Sequence, residues 1–236
     1  MTEAVTKIIT IDGPAGAGKS TVARLLAQTL ECLYLDSGAL YRLVGLQTAR
    51  LGLDLDDANA LGAFLEGLRP EIVSDSRGFR LLLKGEDLSR VIREPWVGQA
   101  ASRVALLPLV RAWVTGKLHR LAAQRLVVAE GRDLGSVVFR DAAVKLYLNA
   151  SLAVRAARRR QEWQTEGSSP SSEEVAQELA DRDRRDETRA EAPLQVPAGA
   201  LVIDTTELNP QEVVQQCLDR IREVLPGPGG LAMKIG

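Results

Sequence analysis

The sequence is poor in the residues that stabilise small secreted proteins or bind zinc. Its 236 residues include two cysteines, Cys32 and Cys217, and one histidine, His119. The two cysteines lie far apart, and no second cysteine or histidine stands at metal-ligand spacing from them. We therefore predict two reduced cysteines in the core, no disulfide framework and no zinc site. A catalytic histidine is not expected.

An excess of charge of either sign and long apolar runs are also missing. The chain has 30 Lys and Arg against 31 Asp and Glu, a formal net charge of -1. Bulk electrostatics therefore does not favour nucleic acid or an anionic membrane as a partner, and any attraction for phosphate must be local. Because the apolar stretches are short and residues 1–7 lack a hydrophobic block, we expect a cytoplasmic protein. A monomer is the default expectation.

What is present is an alternation of short β-rich runs with helical patterns, which is typical of βα units on a parallel sheet. Strands are predicted at residues 7–11, 33–35, 126–129, 145–148 and 201–203. Helices are predicted at 19–30, at 38–51 and from Asn209 or Pro210 to Leu225. Since 45% of the residues are hydrophobic, one large core is feasible. We predict an α/β fold with a five-stranded, mostly parallel sheet.

The pattern changes at residues 54–97, which we interpret as an inserted subdomain outside the central sheet. A helical stretch ends near Arg69 and Pro70. Strands follow at 71–74 and 79–84, with a turn at 84–87.

Three further features follow the insert. Pro108 interrupts a helical region, so Ser102 and Arg111 are expected on two different helices. A loop is predicted at 167–172, and the tail at 226–236 is expected to be flexible.

Directly after the first predicted strand stands a complete G-x-x-x-x-G-K-[ST] motif. It consists of Gly13, Pro14, Ala15, Gly16, Ala17, Gly18, Lys19 and Ser20. The glycines let backbone N–H groups turn toward phosphate oxygens, the helix N-terminus adds partial positive charge, and Lys19 adds a full cation. Ser20 is expected to place its hydroxyl on Mg2+. The motif predicts nucleotide binding.

Other residues must separate the classes of nucleotide-binding protein. A GTPase requires a base-specifying Asn-Lys-x-Asp stretch, which the sequence lacks. ATP motors are usually larger and carry an acidic residue after four apolar ones, for which Glu130 is the nearest candidate. Small phosphotransferases are therefore favoured.

Arginine is concentrated in one region. The chain has 24 Arg and six Lys, and eight of the Arg lie between Arg155 and Arg189. On a helix, Val175 and Leu179 share one face. That face of the helix continues through Arg182, Asp186 and Arg189, and Arg185 lies beside it, one residue further around the helix axis. Buried charges need partners or a ligand, so we expect this helix to run from the core into a cleft. For Arg158, Arg159 and Arg160, a solvated helix face is the alternative.

Two polar clusters follow predicted strands, where an open α/β sheet binds its ligands. The first spans residues 36–42 and the second residues 130–135. The alternative for the first is a helix cap by Asp36 or Ser37 with an exposed Arg42. For the second it is a tight turn with a local pair between Arg132 and Asp133.

Together these residues resemble the bacterial cytidylate (CMP) kinase family over residues 8–225. The motifs that carry the resemblance, besides the phosphate loop, are Leu35-Asp36-Ser37-Gly38-Ala39-Leu40-Tyr41-Arg42, Ala101-Ser102-Arg103-Val104-Ala105, Gly131-Arg132-Asp133-Leu134-Gly135, and Arg182-Asp183-Arg184-Arg185-Asp186 through Arg189-Ala190. The resemblance implies a P-loop nucleoside monophosphate kinase fold. Its parts would be a core (1–53, 98–152 and 191–225), a monophosphate-binding insert (about 54–97) and a helical lid (about 153–190).

The resemblance also implies the reaction, in which the γ-phosphoryl group of ATP passes to CMP or dCMP with Mg2+ as cofactor. The matching positions are as follows. Arg42, Arg132 and Arg189 would hold the acceptor phosphate. Ser102, Arg111 and Asp133 would read the cytosine. Ser37, Arg182 and Asp186 would lie near the ribose. Arg155, Arg158 and Arg159 fall in the lid, with Arg158 assigned to ATP along with Gly13 to Thr21. The predicted catalytic residues are Lys19, Arg132, Arg185 and Arg189.

Two departures from the family pattern leave roles open. Ser20 and Thr21 stand where the family often has Gly-Thr, so either hydroxyl could face the metal. Glu130 stands where an aspartate is common. The alternative functions are a uridylate or sugar-type kinase on the same core, and a protein that closes on ATP without turnover.

Overall fold

The structure, a computed structural model, describes residues 7–123, 125–165 and 170–225. Its centre is a five-stranded sheet in which every pairing is parallel. The strands are β1 (Ile8–Asp12), β2 (Leu33–Asp36), β6 (Val127–Glu130), β7 (Val144–Asn149) and β8 (Leu201–Asp204). Their order is β2-β6-β1-β7-β8. The prediction of a parallel five-stranded α/β core is confirmed, with each strand within a residue or two of its expected bounds.

Eight α-helices lie in the described part of the chain. They are α1 (Lys19–Thr29), α2 (Ser37–Leu51), α3 (Ala58–Gly67), α4 (Pro95–Val104), α5 (Pro108–Ala122), α6 (Leu152–Thr165), α7 (Ser172–Thr188) and α8 (Pro210–Val224). Pro108 begins α5, so Ser102 and Arg111 lie on separate helices as predicted. Among the residues described, no helix is long and apolar enough to cross a membrane.

The core is built from the two faces of the sheet, because parallel strands are covered by helices on both sides. Ile9, Ile11, Leu35 and Leu146 are fully buried within it. Cys32 and Cys217 are free and buried, as predicted, and burial raises the pKa of each thiol to about 12. Neither thiol is therefore a nucleophile at neutral pH.

Residues 71–87 form a second, antiparallel sheet that is separate from the central one. Its strands are β3 (Glu71–Ser74), β4 (Phe79–Leu83) and β5 (Glu86–Asp87). Two hydrogen bonds join it to β2, since Ser74 Oγ donates to the Tyr34 carbonyl at 2.6 Å and the Tyr34 amide donates to the Asp75 carbonyl at 3.3 Å. Phe79 and Leu81 of β4 also pack into the hydrophobic core. The predicted strand pair is confirmed.

Several local predictions need correction. Glu86 and Asp87 were expected in a turn but form β5, because Lys84 and Gly85, both at positive φ, complete the reversal before them. A π-helical turn at Leu134–Val138 takes up the end of the second polar cluster, and no sequence signal marks it. Of the predicted loop at 167–172, residues 167–169 lie outside the described residues, Ser171 caps α7 and Ser172 begins it. The expected flexible tail at 226–236 lies outside the described residues.

Candidate functional site

The strand carboxyl ends open into one large cleft of about 1190 Å³. Its walls come from the loop before α1, the start of α2, the β3–β4 hairpin, the turn after β6, and helices α6 and α7. This is the edge of an open α/β sheet where ligands bind. Most of the predicted site residues therefore surround a single space.

The phosphate loop has the conformation that its sequence predicts. Gly13, Gly16 and Gly18 have φ values of 144°, 77° and 85°, a region that other residues seldom adopt. A Cβ atom on Gly13 would lie 2.0 Å from the Leu148 carbonyl oxygen, so only glycine fits against β7. Among the described side chains none caps α1, and its first N–H groups are left for a ligand.

Lys19 is buried in this loop, and its Nζ donates to the Pro14 carbonyl at 2.6 Å. Burial, followed by the neighbouring charge of Arg132, lowers the pKa of Lys19 to about 7. Glu130 and Asp12 oppose this shift. The ammonium group thus lies where an anion would stabilise it.

Glu130 lies at the end of β6 between the loop and β2. It accepts a hydrogen bond from the Tyr34 hydroxyl at 2.5 Å, and the nearby Ser20 hydroxyl favours its ionised form. Burial raises the pKa of Glu130, and the negative charge of Asp36 adds to the effect. Ser20 therefore faces the strand-end carboxylate, whereas Thr21 is exposed to solvent. Sequence reasoning missed Tyr34, which gives this glutamate its fixed position.

Asp133 and Asp186 each form ion pairs with arginine side chains on the wall of the cleft opposite the phosphate loop. Asp133 pairs with Arg111 and, at 3.4 Å, with Arg189. Arg132 Nε donates to Asp186 Oδ2 at 3.0 Å. Burial opposes ionisation of Asp186, yet the charges of Arg132 and Arg182 hold its pKa below the ordinary value. The alternative of a local pair between Arg132 and Asp133 is therefore wrong, because each of these residues pairs with a different partner.

Arg42 is buried rather than exposed. Its Nη1 donates to the Ile92 carbonyl at 2.8 Å, and its guanidinium lies against Gly98 of α4. Burial, followed by the charge of Arg182, lowers the pKa of Arg42 to about 9. Asp36 caps α2 by accepting a hydrogen bond from the Ala39 amide at 2.8 Å. The alternative for residues 36–42 combined a helix cap with an exposed Arg42, and of these two features only the cap is correct.

Asp36 also binds a cation that the sequence did not indicate. Arg93, in the 3-10 turn at Val91–Arg93, donates to Asp36 Oδ2 at 2.7 Å. Although burial opposes it, this contact lowers the pKa of Asp36. Ser37 lies next to it, and its hydroxyl donates to the Glu130 carbonyl at 2.8 Å. This hydrogen bond connects the carboxyl ends of β2 and β6.

Several buried donors in the cleft make no hydrogen bond within the described part of the chain, although Arg182 and Arg189 lie in ion pairs with Asp186 and Asp133. Ser102 Oγ, Arg182 Nε and Arg189 Nη2 are buried and make no hydrogen bond to any described residue. Buried polar groups in folded proteins are nearly always hydrogen-bonded. Burial lowers the pKa of Arg182 to about 10, with Arg132 contributing. These groups fit an anionic, polar ligand in the cleft.

The predicted lid arginines have three different surroundings. Arg158 Nη2 donates to the Thr205 carbonyl at 2.7 Å beside Gly18, and it lines the cleft. Arg159 also lines the cleft and stacks on Trp163, with 5.1 Å from its Cζ to the ring centroid.

Arg155 instead faces away from the cleft. It binds the Ala15 carbonyl at 3.3 Å and Asp183 Oδ2 at 2.5 Å, so it joins the phosphate loop to α7.

Two further predicted arginines do not line the cleft. Arg111 stands behind Asp133, which it contacts directly. Arg185 lies on another part of α7, where its Nε donates to the Asp181 carbonyl at 3.2 Å. The predicted helix face is correct for Arg182, Asp186 and Arg189, but one step round is enough to take Arg185 out of the cleft.

A phosphate loop on a parallel sheet, facing a cluster of buried arginines, defines a P-loop kinase. The model of the family described as "Cytidylate kinase" matches residues 9–223.

The chain is similar to curated cytidylate kinases of three bacteria. It is 43% identical over 213 residues to that of Carboxydothermus hydrogenoformans (90% of this chain, 96% of the relative). It is 42% identical over 219 residues to that of Caldanaerobacter subterraneus subsp. tengcongensis (93% and 96%). It is 40% identical over 220 residues to that of Vibrio cholerae (93% and 98%).

The chain therefore belongs to the cytidylate kinase family, and the resemblance predicted from the sequence is confirmed.

Proposed function

We propose that this protein transfers the γ-phosphoryl group of ATP to CMP or dCMP, giving ADP and CDP or dCDP. The observation that carries the proposal is that the phosphate loop and a set of buried, incompletely paired arginines face each other across one cleft. Such a cleft binds two anionic groups at once. Two phosphorylated substrates that must exchange a phosphoryl group are the ligands that need this arrangement.

The donor side consists of Gly13 to Thr21 with Lys19 and Arg158. The free N–H groups of α1 and of the loop would bind the β- and γ-phosphates, and Lys19 would leave the Pro14 carbonyl for a phosphate oxygen. Arg158 already lies beside Gly18 and adds a cation there. These contacts hold the transferring group in place and neutralise its charge.

Mg2+ fits the donor side as its cofactor. Ser20 and Glu130 offer a hydroxyl and a carboxylate, the hard oxygen ligands that Mg2+ prefers together with phosphate oxygens. Since no group of three or more acidic, His or Cys side chains among the described residues could hold a metal alone, the ion would enter with the nucleotide. When bound, it neutralises charge on the β- and γ-phosphates.

The acceptor side uses Arg42, Arg132 and Arg189 for the phosphate. Their forked guanidinium groups bind phosphate oxygens in pairs and keep their charge. The base would meet Ser102 and Asp133, with Arg111 acting through its contact with Asp133. A carboxylate suits the exocyclic amino group of cytosine, which uracil lacks. Ser37, Arg182 and Asp186 would lie at the ribose.

The reaction needs no general base in this site. A phosphate oxygen of the acceptor is already anionic at neutral pH, so catalysis reduces to alignment and charge stabilisation. Lys19, Arg132 and Arg189 would stabilise the charge on the transferring group. Arg185, also predicted to be catalytic, would reach the cleft only if α7 rotated. The insert at 54–97 is proposed to bind the monophosphate, and residues 153–190 to close over ATP.

The proposal is tested by coupled ADP production with Mg-ATP and CMP, dCMP, UMP, AMP, GMP and TMP, each at one concentration. Turnover mainly with CMP and dCMP supports it. A preference for UMP, or for a sugar in a second panel, would favour the alternative kinases on the same core. ATP binding without any ADP release would mean a binding protein.

We propose a cytoplasmic monomer without nucleic-acid or membrane partners, and light scattering measures its oligomeric state.

A further inference from the structure

Asp12 is a buried carboxylate that the proposed mechanism does not use. It is the last residue of β1, it is fully buried, and Gly13 of the phosphate loop follows it directly. Among the described residues, no cation lies within ion-pair distance of it. Burying a charge without a counter-ion is costly, so the residue must make contacts that offset this cost.

Both oxygens of Asp12 bind backbone amides of one distant segment. Oδ1 accepts from the Leu134 amide at 2.9 Å and Oδ2 accepts from the Gly135 amide at 2.8 Å. Hydrogen bonds to an ionised acceptor are stronger than neutral ones. The carboxylate therefore fixes the first two residues of the π-helical turn Leu134–Val138.

The same turn is held at two other points. A Cβ atom on Gly135 would lie 2.8 Å from Thr10 Oγ1, so the turn rests directly on β1. At its far end, His119 Nε2 lies 2.7 Å from the Val138 carbonyl oxygen, and the ring packs against Phe139. The turn is thus fixed against both the sheet and α5.

Arg132 and Asp133 stand immediately before this turn. Both line the cleft, and the chain continues from them directly into the Leu134 and Gly135 amides that Asp12 binds. Asp12 is at the same time joined covalently to the phosphate loop. One side chain therefore connects the backbone that would bind the donor phosphates with the backbone that would bind the acceptor.

We propose that Asp12 is a positioning residue for phosphoryl transfer, which acts through the Leu134 and Gly135 amides to hold Arg132 and Asp133 in register with the phosphate loop. The inference rests on the proposed function for its chemistry. A displacement of about 1 Å between reacting groups costs on the order of 100-fold in rate, so a fixed connection between the two half-sites has a measurable effect.

The test uses Asp12→Asn and Asp12→Glu, with Ile221→Val as a control that trims the core far from this contact. In Asp12→Asn one carboxylate oxygen is replaced by an NH2 group, which cannot accept a hydrogen bond from the Leu134 or Gly135 amide that it faces. We expect kcat to fall roughly 10- to 100-fold and the CMP to UMP ratio in kcat/KM to narrow, while KM for ATP changes less than about threefold. Ile221→Val should leave these parameters unchanged.

Hydrogen exchange gives a readout that is independent of the reaction. In folded Asp12→Asn, the amides of 131–139 should exchange faster than in wild type, while those of α8 should not. If exchange in this segment is unchanged, or if kcat and the base ratio match wild type, the proposal is wrong. If neither variant folds, Asp12 is only structural and the proposal is equally overturned. Absence of CMP turnover by wild-type protein would instead reject the proposed function.

Discussion

Lys19 Nζ donates to the carbonyl oxygen of Pro14, five residues earlier in the same loop, at 2.6 Å. The only basic side chain of the phosphate loop is thus held by the loop itself until a nucleotide enters. Since burial lowers the pKa of this amine to about 7, it is only partly charged at neutral pH. Binding of an anion should therefore change its protonation.

ATP binding is expected to draw protons from solution at pH 8. An amine with a pKa of about 7 is mostly neutral at that pH, and phosphate oxygens raise the pKa, so up to about one proton is taken up per ATP. Calorimetry in two buffers of different ionisation enthalpy, in EDTA, measures the uptake. Lys19→Met at saturating ATP is the control and should lack most of it. Equal uptake by both proteins would contradict the assigned pKa.

The same lysine is expected to be essential for turnover but not for folding. Lys19→Ala deletes the charge that is proposed to face the transferring group, so kcat should fall at least roughly 100- to 1000-fold. The far-ultraviolet circular dichroism spectrum should stay that of wild type. An unchanged kcat would remove Lys19 from the mechanism.

Asp133 is expected to carry the preference for cytosine. In Asp133→Ala the CMP to UMP ratio in kcat/KM should collapse toward unity, because the acceptor for the cytosine amino group is lost. The variant also leaves Arg111 and Arg189 without their buried partner, which lowers stability. The ratio does not depend on the fraction of folded enzyme, so it separates the two effects. A preserved ratio would mean that base recognition lies elsewhere.

Arg155 is expected to matter for stability more than a surface arginine of the same region. Its ion pair with Asp183 is buried, so Arg155→Ala should lower the free energy of unfolding by about 3 to 5 kcal/mol. The control is Arg184→Ala, whose pair with Asp181 is exposed and should contribute less than about 1 kcal/mol. Urea unfolding measures both. Equal losses would show that Arg155 does not join the loop to α7 as described.

Much of the site could be predicted because it follows from local pattern. Gly13 to Ser20 form a continuous motif between a strand and a helix, and Asp36 and Glu130 follow strands whose carboxyl ends share one edge. Parallel pairing then brings them together without further information.

The remainder depends on tertiary packing. Arg155, Arg158 and Arg159 fall within about one turn of α6, and only the contacts of that helix decide that Arg155 faces the phosphate loop and Arg158 faces Thr205. Tyr34 was predicted as part of a strand, and no local pattern indicates that its hydroxyl reaches Glu130 at the end of the neighbouring strand β6. Arg93 belongs to the insert, and no short-range signal links it to Asp36.

The sheet order has a consequence for synthesis on the ribosome. Of the strands in the described part of the chain, β1 is made first, but its neighbours are β6, whose Val127 pairs with Ile8, and β7, whose Val144 pairs with Ile9. The nascent chain must therefore expose both edges of an apolar strand until synthesis has passed Val127. Such non-local pairing slows folding and exposes intermediates to aggregation. Chaperone demand during translation should thus end only when β7 leaves the exit tunnel.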